Sequence, residues 1–177
     1  YEISGGLVGS EMCIRDRVAV VGPNGGGKST LFNAIAGLIP LTEGSLTIKG
    51  KSPEDAKGTV SYVPQKDLMN WNFPLSVKQV VEMGLTNRNT ISIFKRKKIN
   101  SKIEKALESV GLLQKINENI KTLSGGQLQR VLIARALAQD SDILLLDEAF
   151  SAVDVGAQED IMQLINNINL DLSLIHI

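Results

Sequence analysis

The sequence predicts an α/β fold: a mostly parallel sheet joined by crossover helices and interrupted by a helical insert. Three observations carry this expectation. Apolar runs at 18–21 and 143–146 are short, continuous and bounded by turn residues, as strands buried on both faces are. Stretches with apolar residues at helical spacing separate them. The region from 65 to 123 is helical in pattern, so it reads as an insert within the α/β framework of 18–64 and 124–171.

Taken in order, the 18–21 strand runs into a glycine-rich stretch, and 29–36 then reads as a helix closed by Gly37. Residues 45–48 and 59–63 alternate in character and predict two strands, separated by Lys49-Gly50 and Ser52-Pro53 turn signals. Pro64 ends the second and Gln65 follows. Ser76 caps a helix through Met83, with Gly84 as its stop. Another helix spans 99–110, with Ile103, Ala106, Leu107 and Val110 on one face and Gly111 after it. The basic run 95–98 before it reads as a solvated loop. A helix over 128–138 leads through Asp140 and Asp142 into the 143–146 strand. The last helix, 157–168, places Ile161, Leu164, Ile165 and Ile168 together.

Composition narrows the function classes. The 177 residues suffice for one domain with a core, and 19 basic residues balance 19 acidic ones. No net field therefore points to nucleic acid, and none is expected as a partner. No apolar run approaches the roughly 18 residues of a membrane span. One Cys and one His give neither a disulfide framework nor a metal-ligand cluster.

The two ends carry a second pattern. Residues 12–17 can be encoded by ATGTGTATAAGAGACAG, whose reverse complement, CTGTCTCTTATACACAT, reads as the Leu-Ser-Leu-Ile-His-Ile of 172–177. The string resembles the transposase-end adapter of sequencing libraries. Residues 1–17 and 172–177 are accordingly read as translated adapter, which leaves 18–171 as native sequence and makes His176 foreign. That native stretch is expected to be a fragment, truncated at both ends.

The chemistry lies in three short motifs. Gly22, Gly27, Lys28 and Ser29 fill every fixed position of G-x-x-x-x-G-K-[ST], the P-loop. Gly25, Gly26 and Gly27, with Asn24, let successive backbone N–H groups face inward, and the following helix adds its positive dipole end. Lys28 can reach the β- and γ-phosphates of a nucleotide, while Ser29, with Thr30 beside it, can ligate Mg²⁺. Asp147 ends the apolar 143–146 strand and suits Mg²⁺ held through water; Glu148, pointing elsewhere, can polarise an attacking water. The third motif, Leu-Ser-Gly-Gly-Gln at 123–127 followed by Arg130, opens a helix and offers a second anion site at Ser124, Gly125, Gly126 and Gln127.

This third motif, standing between the other two, resembles the signature of ATP-binding cassette (ABC) ATPases, a P-loop NTPase family. The whole of 18–171 resembles their nucleotide-binding domain. The resemblance implies ATP and Mg²⁺ as ligands. It implies that residues 124–127 meet the ATP of an opposing subunit in a head-to-tail dimer, since one chain has no use for two γ-phosphate sites. Gln65 matches the Q-loop, which senses Mg²⁺ and the γ-phosphate, and Asp154 lies in a D-loop that links the two sites. Ala149 departs from the family's usual Pro. Two family elements are not found in the native stretch, the aromatic that stacks on adenine and the switch histidine, so weak hydrolysis is expected of this chain.

The stretch around Trp71 and Phe73 resembles manganese/zinc/iron-type metal importers. That implies an ATPase subunit driving divalent metal uptake from the cytoplasmic face of the membrane. Its permease partner would dock on the region from Gln65 to Gly84, and an extracytoplasmic binding protein would be reached indirectly. The alternative is a non-transport cassette ATPase serving ribosomes, nucleic acid or iron–sulfur assembly. The interval between Thr30 and Leu123 shows no sustained heptads, which disfavours the coiled-coil chromosome type.

Overall fold

Four short strands pair side by side in one parallel sheet, in the order β1 (Arg17–Ala19), β4 (Ser173–His176), β3 (Ile143–Leu146), β2 (Val60–Val63). The structure, a computed structural model, describes residues 17–23, 25–56, 58–65, 73–85, 93–147, 155–167 and 173–176. Among the described residues five α-helices join the strands: α1 (Lys28–Ile35), α2 (Val77–Gly84), α3 (Ile93–Ser109), α4 (Gly125–Leu137) and α5 (Val155–Asn167).

Alternation along the strands divides the core. Val60, Tyr62, Ile143 and Leu145 face Phe32 and Ile35 of α1. Val63, Leu144 and Leu146 belong to a larger cluster with Val131, Leu132 and Ile133 of α4 and Ile161 of α5. The sheet is therefore covered on both faces, which is why its central strand is continuously apolar. Helix α4 is the shared wall: it packs on β2 and also carries α2 and α3. The segment before α4 doubles back onto α2. The Val77 and Lys78 amides donate to the carbonyls of Glu118 and Ile116, satisfying N–H groups that a helix start leaves open.

The expected buried strand at 18–21 is shorter, since β1 ends at Ala19 and Val21 is exposed, and four further differences from the sequence expectations have physical causes. Residues 45–48 do not form a strand. The Lys49-Gly50 turn closes, with Ile48 and Lys51 exchanging two backbone hydrogen bonds, but this is an isolated bridge and no described strand lies alongside to extend it. Helix α3 begins six residues earlier than its apolar periodicity, at Ile93, so the basic run is helical, with Arg96, Lys97 and Lys98 exposed. Helix α4 begins at Gly125 rather than 128, because Ser124 caps it.

Gly84 does not stop α2 by entering a left-handed conformation; it is the last helical residue. A Cβ added there would collide with the backbone carbonyl oxygen of Arg135 on α4. Glycine is present because two helices approach closely at that point.

Strand β4 comes from the stretch read as adapter-encoded. Its ladders to β1 and β3 use backbone N–H and C=O groups alone, so a short segment of any origin can enter them.

Candidate functional site

The glycine loop and the end of β3 converge at one edge of the sheet. Gly27 is the N-cap of α1 with φ 84°, and Gly25 has φ 79°, conformations that L side chains rarely adopt. No side chain caps α1. The first-turn amides are thus left for an anion, and the helix dipole favours negative charge there. Lys28 opens the helix and folds back, donating from Nζ to the carbonyl oxygens of Gly22 and Pro23 at 3.0 Å each. A third ammonium hydrogen remains for a ligand.

Ser29 lies one residue into α1, and its hydroxyl donates to Asp147 Oδ1 at 3.1 Å. The backbone N–H of Asp147 donates to Val63, which extends the β2–β3 ladder by one residue and brings the carboxylate over the start of α1. Asp147 is completely buried. Its second oxygen, Oδ2, accepts from the Tyr62 hydroxyl at 2.8 Å. Burial, then that hydrogen bond, then the Asp147 charge raise the Tyr62 hydroxyl above the ordinary phenol range, so it stays a donor at neutral pH.

Does this donor set fit Mg²⁺? The Ser29 hydroxyl and the Asp147 carboxylate supply hard oxygens of the kind Mg²⁺ takes, the hydroxyl directly and the carboxylate through the water that Mg²⁺ retains. They fit. Gln65 follows β2 through Pro64, so it is placed at the same sheet edge.

The signature residues lie elsewhere. Ser124 caps α4 in a capping box: its Oγ accepts from the Gln127 amide at 3.2 Å, and Gln127 Oε1 accepts from the Ser124 amide at 3.1 Å. The Gln127 carbonyl is thereby engaged within its own chain, while the Ser124 O–H hydrogen remains to donate. Gly125 and Gly126 form the first turn. Arg130 is held by Asp160 of α5 at 2.6 Å. A cavity of about 350 Å³ opens beside this turn, lined by Ser124, Gly126, Gln127 and Arg130 among others.

Helix α1 packs on one face of the sheet and α4 on the other. The starts of α1 and α4 therefore sit on opposite sides of it. Asn24, Trp71, Glu148, Ala149 and Asp154 lie outside the described residues. Phe73 is 61% exposed and Met83 49%, so neither is core. Sequence reasoning missed Tyr62. Its one signal was a phenol on a buried strand, whose hydroxyl needs a partner.

A family profile described as "ABC transporter" matches residues 12–151. The chain is 43% identical over 150 residues to the manganese transport system ATP-binding protein MntB of Bacillus subtilis, covering 84% of this chain and 59% of that protein. It is 39% identical over 150 residues to the zinc transport system ATP-binding protein TroB of Treponema pallidum, covering 85% and 56%. The chain thus spans somewhat over half the length of these relatives. Among solved structures, a metal-chelate type ABC transporter in an inward-facing conformation superposes with a TM-score of 0.80 at 25% identity, covering 99% of this chain and 68% of that one. CbiO1 of Clostridium perfringens, part of the complex cbiONQ, gives 0.77 at 27%, covering 99% and 74%.

Proposed function

The chain belongs to the ABC transporter family, and from that premise we propose that it is the ATP-binding and ATP-hydrolysing part of an importer for a divalent metal ion, manganese, zinc or iron. One observation supports the chemistry above the others: a buried carboxylate and a P-loop hydroxyl, from residues 118 positions apart, meet at the foot of an open helix start. The cargo rests on relatives whose names specify manganese and zinc.

In this reading the amides of the glycine loop and Lys28 hold the phosphates of ATP and neutralise their charge. Ser29 and Gln65, and Asp147 through water, would hold Mg²⁺, which when bound would supply further positive charge to offset that of the phosphates. Glu148, directly after Asp147, accepts a proton from the attacking water. Ser124, Gly125 and Gly126 contact the ATP of a second copy, which the opposite-face placement of α1 and α4 favours, and Asp154 carries the signal between the two sites. Among the described residues no helix is long and apolar enough to cross a membrane. Attachment to the cytoplasmic face is then through the permease, whose docking surface includes exposed Phe73 and Met83.

The test is binding of ATP to this chain, followed by fluorescence of a labelled analogue. Lys28→Ala is expected to weaken binding at least about tenfold, as loss of a charge-assisted contact does. Glu148→Gln should bind ATP as the parent does and lose turnover. Equal ATP affinity in parent and Lys28→Ala would refute the assignment.

A further inference from the structure

The chain is neutral overall, with 19 basic and 19 acidic residues, but its charge is segregated. No acidic residue lies between Glu82 and Glu104, while Arg88, Lys95, Arg96, Lys97, Lys98 and Lys102 all fall there. We propose that the first half of α3 is an electrostatic contact for an anionic phospholipid surface, made by Arg96, Lys97 and Lys98. This rests on the membrane placement in the function above and owes nothing to its ATP chemistry.

The three cations contribute nothing evident to the fold. All are exposed, and the first buried residue among the described side chains of α3 is Ile103. Among the described residues none of them forms an ion pair, whereas Lys102 further along binds Asp140 at 3.1 Å. Their own helix offers no partner. The positions three and four residues on hold Ile99, Asn100, Ser101 and Lys102, so Lys98 and Lys102 repel each other. Cations close to a helix start also oppose its dipole, and α3 has no acidic residue in its first turn. Helix stability would select the opposite charge.

The occupant follows from how the charges are arranged. Successive helix residues point about 100° apart, so three cations in a row fan out around the axis. A carboxylate on a folded partner meets one of them at a time. A layer of phosphate headgroups attracts all three, because its potential extends over a Debye length of roughly 8 Å. The long Lys and Arg stems can bend toward it. Single-stranded nucleic acid would call for aromatic side chains among the cations, and 95–102 contains none. Each cation near an anionic leaflet raises partitioning about fivefold, so the three together contribute on the order of a hundredfold. That is a weak attachment beside the one through the permease.

The experiment floats the whole chain with vesicles of phosphatidylcholine, or of phosphatidylcholine mixed with phosphatidylglycerol, in rising NaCl. Binding should be confined to the anionic vesicles and should weaken as salt rises. Replacing all three residues (Arg96→Gln, Lys97→Gln, Lys98→Gln) should lower it at least about tenfold, and Arg96→Lys should leave it near the parent's. Equal binding to both vesicles, insensitivity to salt, no binding, or undiminished binding by the triple variant overturns the proposal. Capture by polyglutamate or single-stranded RNA with none by vesicles assigns the face to another partner, and overturns it too. If circular dichroism shows the triple variant unfolded, the salt series on the parent decides alone. ATP-analogue binding reads the function separately: its absence in the parent overturns that function whatever the vesicles show.

Discussion

Substituting Gly84 by Ala separates two explanations of one glycine by the sign of a single number. If Gly84 served only to end α2, alanine, the better helix former, would be neutral or would stabilise by up to about 1 kcal/mol. In the structure a Cβ at 84 strikes the Arg135 carbonyl oxygen, a backbone atom in the last turn of α4 rather than the end of a flexible side chain. Relief requires α2 to withdraw from α4 along a seam that buries Val77, Val80 and Val81 against Val131 and Leu132. Overpacking of this kind costs roughly 1–3 kcal/mol, and more where backbone must move. Set against the propensity gain, the net expectation is a loss of about 1–2 kcal/mol. For a chain of this size that lowers Tm by roughly 2–8 °C. Thermal unfolding followed by circular dichroism reads it, with a urea midpoint as a check. A Tm equal to the parent's or higher would refute the close-approach argument.

Ser124→Ala removes the α4 capping box and should cost about 1 kcal/mol, with Ser124→Gly losing only a few tenths; equal losses in urea titration would contradict the cap. Tyr62 also sets a pH dependence. Its hydroxyl is raised above the ordinary value of 10.0, so above that pH the unfolded chain sheds a proton that the native chain keeps, and stability falls as pH rises. Tyr62→Phe should flatten this decline relative to the parent in urea midpoints measured at pH 9 to 11. Finally, the DNA encoding 12–17 and 172–177 should read as reverse complements of one string. Other codons at either end would return those residues to the native protein.

The local chemistry was legible in the chain because its signals are local. The spacing of Gly22, Gly27, Lys28 and Ser29 requires a turn into a helix, and α1 begins at Lys28. The apolar run 143–146 is β3 to the residue. The Ser124 turn was recognised as a helix start. Among the described α-helices, periodicity located α3 and α5 while cap, stop and motif residues located the others, and the first turns of α3 and α4 lie where exposed residues or a cap decide the boundary.

Tertiary structure decided what depends on residues distant in the chain. A strand at 45–48 had the right alternation but no described neighbour to pair with, and alternation without a partner forms no ladder. Gly84 looked like punctuation and proved to be an approach between helices. The sequence by itself determined which residues are candidates for the phosphate chemistry and in what order they stand. That Asp147 meets Ser29 and Tyr62, and that α1 and α4 open on opposite faces of the sheet, depended on folding. Strand pairing and face assignment are non-local, set by packing among segments more than 80 positions apart.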